Sequence, residues 1–470
     1  MGSLTFGDVD RINIPQVEGP KNRHSREEVI NGERVRPIGA PDDPAQLQGV
    51  QLRSVRGVRL LDGTVTDLRV VDGRIATGPA QVSDPGVDLD ATGWRILPAA
   101  VEPHAHLDKA LTAPRVDPGA GNDLESAIAQ WRALLPAIDA ADIAERALAA
   151  VRRYVARGIT AIRTHVDVPG TGDPMRGVDA LIALREQLRG RVTLQVCLLA
   201  GSDIPDAVLA DAAARGVDVI GGCPHIAPDP HRETTRVLDL AERLGLPVDL
   251  HADEHTSVPP SDAGLDIVDL AEQVLARGLQ QRVTASHCVR LGMLPPERLA
   301  RVLDLAARAG LGIVTLPITN LYLQGRGATH APPRGITAVR RILEAGIPLA
   351  AGGDNLCDPF NPAGRADPFE TTSLLMTAAH LRPLEALAAV TTGARTVLGL
   401  PTAGTAPDAA ADLVLVPDGE LCDVLAGAVD ARVVVSGGRV LADTRVARAL
   451  DLPTRAPAVP APAQPISEMR

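Results

Sequence analysis

The sequence predicts an α/β protein: a (β/α)8 TIM-like barrel carrying a small β-sandwich subdomain formed from both chain ends. Three observations predict it. From about residue 98 to 399, short apolar runs alternate with Ala/Leu/Arg-rich stretches of 3.6-residue periodicity. The alternation amounts to eight βα units, which favours a closed barrel over an open sheet. Two β-rich pieces, at 51–97 and 400–446, flank this middle, with short apolar runs broken by turns such as Asp-Gly.

The elements follow in chain order. Residues 1–50 are a polar arm with turn signals at Asn31-Gly32 and Pro41-Asp42-Asp43-Pro44, expected to be extended or partly disordered. "VQLRSVRGVRLLDG" and "VTDLRVVDGRIA" open the β-subdomain, and "ADLVLVPDG" and "ARVVVSGGRVLAD" return to it near the other end. Between them, barrel strands are expected to end near Pro103, Val166, Leu199, Gly221, Leu250, Ser286, Leu316 and Gly352. Helical periodicity is plainest over 140–156, 262–278 and 296–309. Residues 447–470 form a Pro/Ala-rich tail, expected to be unstructured.

Composition narrows the function. The 470 residues carry 47 Lys+Arg against 58 Asp+Glu, a net charge of −11, with 45% hydrophobic and 22% charged residues. That is the balance of a globular protein. An acidic chain lacks the positive surface that recruits nucleic acid or anionic membranes, so neither partner is expected. No apolar run approaches the roughly 18–20 residues that span a bilayer, and no secretory signal pattern opens the chain. Five scattered cysteines, none in a CxxC, fit a reducing cytoplasm and exclude Cys-based zinc knuckles. Only seven residues are aromatic, so the core must be built from Ala, Val, Leu and Ile. Lysine occurs twice, at Lys21 and Lys109.

The C-terminal strand ends of a (β/α)8 barrel carry its chemistry. Here the first ends in "VEPHAHLDK", the fifth in "VDLHADEH", the sixth in "VTASHC" and the eighth in "LAAGGDN". Residues i and i+2 of an extended segment share a face, so His104 and His106 can grip one ion together. With His251 and Asp354 they offer three neutral nitrogens and one carboxylate, a set suited to Zn2+ or Fe2+ with a position open for water. An ion there supplies hydroxide at neutral pH. Asp354 can accept the water proton, Glu254 can carry it to a leaving nitrogen, and His287 can orient the hydroxide or polarise the atom attacked. His165 reads as a support for this layer or a structural residue, and His225 as pocket lining or plain loop. "HADEH" also matches the inverted zinc-protease signature HxxEH. That motif needs both histidines on one helix, whereas this one follows a strand-like run and leaves His104 and His106 unexplained.

These motifs, together with "GITAIRTHVDV", "LQGR" at 323–326, "RGIT" at 334–337 and "GGDN…DP" from 352, resemble the cytosine deaminase branch of the amidohydrolase superfamily over about 51–445. The resemblance implies a mononuclear site: His104, His106, His251 and Asp354 as ligands, Glu254 as proton shuttle and His287 against the hydroxide. No lysine follows the fourth strand, so no carboxylated-lysine bridge between two ions is expected. The ring-reading groups of cytosine deaminases are replaced. A glutamine becomes Gly201, and "GHDD" becomes "GGDN", with Asn355 in place of an aspartate. "HLDK" also resembles the s-triazine N-alkylaminohydrolases. Lys109 can then meet an anionic or carbonyl-rich substrate or form a salt bridge at the rim. Asn320, Gln324 and Arg326 are candidates for shaping the pocket mouth.

The sequence therefore reads as a metal-dependent hydrolase that removes an exocyclic amine from a small nitrogen heterocycle. The alternative is an amidase opening a cyclic or linear amide at the same site. A non-catalytic scaffold is disfavoured because every proposed ligand and acid–base group is present. The expected cofactor is one divalent ion, and the expected partner is a small-molecule substrate, with homo-oligomerisation left open.

Overall fold

The computed structural model describes residues 28–30, 33–37 and 47–445, apart from 82, 118, 120 and 122. Eight parallel strands pair in sequence order: Ala100–Ala105, Ile159–Val168, Thr193–Ala200, Val219–Gly222, Val248–Ala252, Val283–His287, Gly312–Thr315 and Leu349–Ala351. A parallel bridge from Ala105 to Asp354 closes the ring. The fourth to eighth strands are short runs buried along their whole length, as expected where helices cover one face and the barrel interior the other. Each observed strand ends within two residues of its expected end.

The helices between strands are amphipathic and explicitly bounded. Ala140–Ala156 starts on Asp139, whose side chain accepts from the Asp142 N–H. Pro230–Leu244 stops at Gly245, which takes the left-handed conformation that an L side chain disfavours. The helix expected over 262–278 divides in two. A single 3-10 turn, Asp262–Gly264, is followed by extended Leu265, and the α-helix runs only over Asp266–Arg277.

The second sheet draws on both sides of the barrel. Trp94–Pro98 pairs antiparallel with Leu413–Pro417, which continues to Val433–Ser436 and Arg439–Asp443. On its other side lie Leu52–Arg59 and Val87–Asp90. This subdomain has its own aliphatic core, including Leu52, Val55, Leu89, Ile96, Leu413 and Val435. The described part of the arm is more regular than expected. Glu28–Ile30 and Glu33–Pro37 form an antiparallel pair, and Val35–Pro37 adds in parallel to Val87–Asp90. The remainder of the arm, and the tail at 447–470, lie outside the described residues. Among the described residues no helix is long and apolar enough to cross a membrane.

Candidate active site

The C-terminal mouth of the barrel holds a cavity of about 430 Å3. His106, His251, Glu254, His287 and Asp354 line its floor. His104 lies just below, fully buried. His104 Nε2 stands 3.0 Å from His251 Nε2, which stands 3.3 Å from His106 Nε2. Asp354 Oδ1 is 3.3 Å from His106 Nε2 and 4.0 Å from His104 Nε2. Ligand bonds of about 2.0–2.2 Å at the tetrahedral angle separate donor atoms by roughly 3.3 Å, so this spacing suits a four-coordinate ion. Burial lowers the pKa of all three histidines, which keeps them neutral as metal ligands must be. Burial, with Glu254, Asp358 and Glu102 nearby, drives the Asp354 carboxyl well above its ordinary range. Its Oδ1 is buried without a hydrogen-bond partner among the described residues. A cation against that oxygen would satisfy both conditions.

Glu254 and His287, the acid–base groups expected from the sequence, stand beside this cluster. Glu254 Oε2 lies 3.1 Å from His225 Nε2, and Oε1 lies 3.7 Å from His287 Nδ1. Burial raises the Glu254 pKa, but the pull of His287 and the hydrogen bond with His225 outweigh it and hold the carboxyl down to about 2. The Glu254 carboxyl is therefore ionised at neutral pH. His225 Nδ1 is 2.9 Å from the His251 carbonyl oxygen, so it donates there and ties the fourth-strand loop to the fifth strand.

Several supports were not singled out from the sequence. Glu102 accepts from the His104 N–H at 3.3 Å and the Gly353 N–H at 2.9 Å, binding the first strand to the eighth-strand loop. Gly352 makes that approach feasible, since a Cβ there would stand 2.1 Å from Glu102 Oε1. Asp249 accepts from Arg163 at 2.9 Å and from Ser286 Oγ at 2.6 Å. His165 stacks on His104 with ring centroids 3.9 Å apart, and its Nε2 is 3.6 Å from Asp249. His104, His165 and Asp249 also approach metal-binding spacing, but Arg163 already neutralises that carboxylate. Asp249 sits two residues before His251 on one strand, so the same i, i+2 rule that paired His104 with His106 could have found it.

The remaining predicted residues divide. Lys109, Gly201 and Asn355 line the cavity. Lys109 donates to Asp167 at 2.7 Å and lies 3.6 Å from Asp108, so its charge is already matched by carboxylates. Trp131 Nε1 donates to the same Asp167 at 2.6 Å. Asn355 donates to Asp358 at 2.8 Å. Asn320 and Gln324, expected at the mouth, stand behind the wall instead. The helix Pro317–Leu323 turns Asn320 inward to His287 at 3.0 Å, and Gln324 donates to the Glu254 carbonyl at 2.6 Å. The outer wall is largely apolar, with Leu124, Ile128 and Trp131 of the helix Leu124–Leu134 and Leu135, Ile204 and Phe360, although Arg132 of the same helix and Asp203 also line the cavity.

Residues 124–442 match the model of the Amidohydrolase family. The chain belongs to the amidohydrolase family. A pterin deaminase of Rhizobium rhizogenes is 31% identical over 397 residues, covering 80% of this chain and 87% of that protein. The structure is similar to a 5-methylcytosine deaminase from Klebsiella pneumoniae, with TM-score 0.75 and 27% identity over 84% of this chain and 99% of that one. It is also similar to an N-isopropylammelide isopropylaminohydrolase from Burkholderia multivorans, with TM-score 0.71 and 30% identity over 84% and 99%. This amidohydrolase is a metal-dependent enzyme that hydrolyses C–N bonds.

Proposed function

We propose that the protein is a cytoplasmic deaminase of a fused-ring, amino-substituted nitrogen heterocycle. One divalent ion, zinc or ferrous iron, is held by His104, His106, His251 and Asp354. The observation that carries this reading is the convergence of three neutral imidazoles and a buried carboxylate oxygen, without a hydrogen-bond partner among the described residues, beside an ionised glutamate. A divalent ion supplies hydroxide at neutral pH by lowering the pKa of water from about 15.7 to near 7. Glu254 takes the proton released as water adds to the ring carbon and delivers it to the exocyclic nitrogen. Asp354 is a second proton acceptor beside it. A carbon–oxygen bond forms, the carbon–nitrogen bond breaks, and ammonia leaves with the proton that Glu254 carried.

Substrate size follows from the cavity. A volume of about 430 Å3 falls in the range of roughly 300–1,000 Å3 that encloses drug-sized ligands, more than one six-membered ring requires. Where the resemblance expects a ring-reading glutamine, Gly201 brings up the Asp203 carboxylate instead, 2.5 Å from where a Cβ would stand, and much of the remaining lining is apolar or aromatic. Both features suit a bicyclic ring such as a pteridine. Lys109 is already matched by Asp167 and Asp108, so donor and acceptor stand together there, which suits a ring with N–H and C=O edges. Five free thiols support the cytoplasmic assignment.

The test is ammonia release by metal-loaded protein from aminopteridines, aminopurines, aminopyrimidines and amino-triazines. Release from a fused ring in preference to a single ring is expected. Ring opening of an amide with no ammonia from any amine would overturn the deaminase reading.

A further inference from the structure

His104 and His287 belong to one site but meet chemically opposite partners. For His104 the proton position is forced. Asp249 is fully buried and accepts from the Arg163 guanidinium at 2.9 Å, which keeps it a carboxylate. A carboxylate only accepts. Ser286 Oγ–H therefore donates to Asp249 Oδ1 at 2.6 Å, leaving only lone pairs for His104 Nδ1 at 3.0 Å. So Nδ1 carries the hydrogen, and Nε2 turns a lone pair toward His251 and Asp354. The arrangement Asp249–Ser286–His104 fixes a metal-binding tautomer.

His287 faces the reverse. Its Nδ1 meets a donor, Asn320 Nδ2, at 3.0 Å. A donor facing Nδ1 requires a lone pair there, which moves the single ring hydrogen to Nε2. That nitrogen is buried, without a partner among the described residues, on a ring that lines the cavity. We propose that Asn320 is a positioning residue that holds His287 in its Nε2–H tautomer, so that a hydrogen-bond donor is aimed at the oxygen that attacks the substrate. Asn320 is itself fixed in the helix Pro317–Leu323, with its N–H on the Leu316 carbonyl and its carbonyl accepting from the Gln324 N–H. An acceptor, Glu254 Oε1, also lies 3.7 Å from His287 Nδ1. Without Asn320, Glu254 would draw the hydrogen to Nδ1 and leave Nε2 nothing to donate.

The catalytic consequence rests on the deaminase reading, whereas the tautomer does not. The experiment is 15N NMR of histidine-labelled, zinc-loaded protein, with His287 assigned by the peak lost in His287→Gln. Wild type should show the Nε2–H pattern, and Asn320→Leu should shift His287 toward Nδ1–H. That variant should also lose about 10²–10³ in kcat, the usual cost of one preorganised donor, with KM nearly unchanged. A loss of turnover with the tautomer unmoved would reduce Asn320 to a packing role. An Nδ1–H pattern in the wild type would overturn the proposal, and that spectrum decides even if the variant does not fold. The predicted pattern in a protein that releases no ammonia would remove the substrate reading and leave the positioning intact.

Discussion

The floor and the outer wall of the cavity are built on different principles. On the floor, His104 and Glu254 stand at or just past strand ends, and each has a directed side-chain partner, Ser286 and His225. On the wall, Leu124, Ile128, Leu135, Ile204 and Phe360 offer shape without direction. Hydrogen bonds and metal bonds fail at small displacements, whereas apolar contacts tolerate exchange of side chains of similar volume. The floor therefore fixes the reaction, and the wall can change the substrate without disturbing it. Trp131 and Asp167 join the two, because an indole from the wall donates to a carboxylate that Lys109 ties to the floor.

This contrast can be broken most severely at the ligands. His104→Ala should abolish stoichiometric metal binding and all turnover, as measured by metal analysis of purified protein; unchanged stoichiometry would falsify the ligand assignment. Glu254→Gln should keep the ion and lose roughly 10²–10⁴ in kcat, because it removes proton transfer and leaves binding. Metal content separates these two variants. Ser286→Ala should weaken metal affinity by about 10–100-fold in a chelator competition, since the tautomer of His104 loses its fixing partner. Affinity equal to wild type would mean that the hydroxyl is idle. The smallest change belongs to the wall. Ile128→Ala should lower kcat/KM for a fused-ring substrate by about 10-fold or less and spare a single-ring one, as expected for a few methylenes. Equal losses on both would place Ile128 in the floor's machinery.

The barrel was legible because buried strands and amphipathic helices leave different periods, and every strand end fell within two residues of expectation. The convergence of His104, His106, His251 and Asp354 was legible for a related reason: strand ends bring residues remote in sequence to one ring. Side-chain direction beyond a strand end was not. Asn320 and Gln324 follow the seventh strand as expected, but the turn into Pro317–Leu323 aims them behind the cavity wall. Lys109 was left between substrate and salt bridge because its partner, Asp167, belongs to the next strand. Apolar Leu124 and Ile128 carried no chemical signal that could mark them as pocket residues.

The bridge between Ala105 and Asp354 joins the first and last walls of the ring at a residue that belongs to the proposed metal site. A barrel needs that seam to be a barrel at all. An ion held by His104, His106, His251 and Asp354 would therefore act as a clasp between the two ends of one long circuit of chain. By mass action a ligand at 100 times its Kd adds about 2.7 kcal/mol to folding stability. The melting temperature becomes a gauge of how firmly the ring is fastened, readable without any substrate.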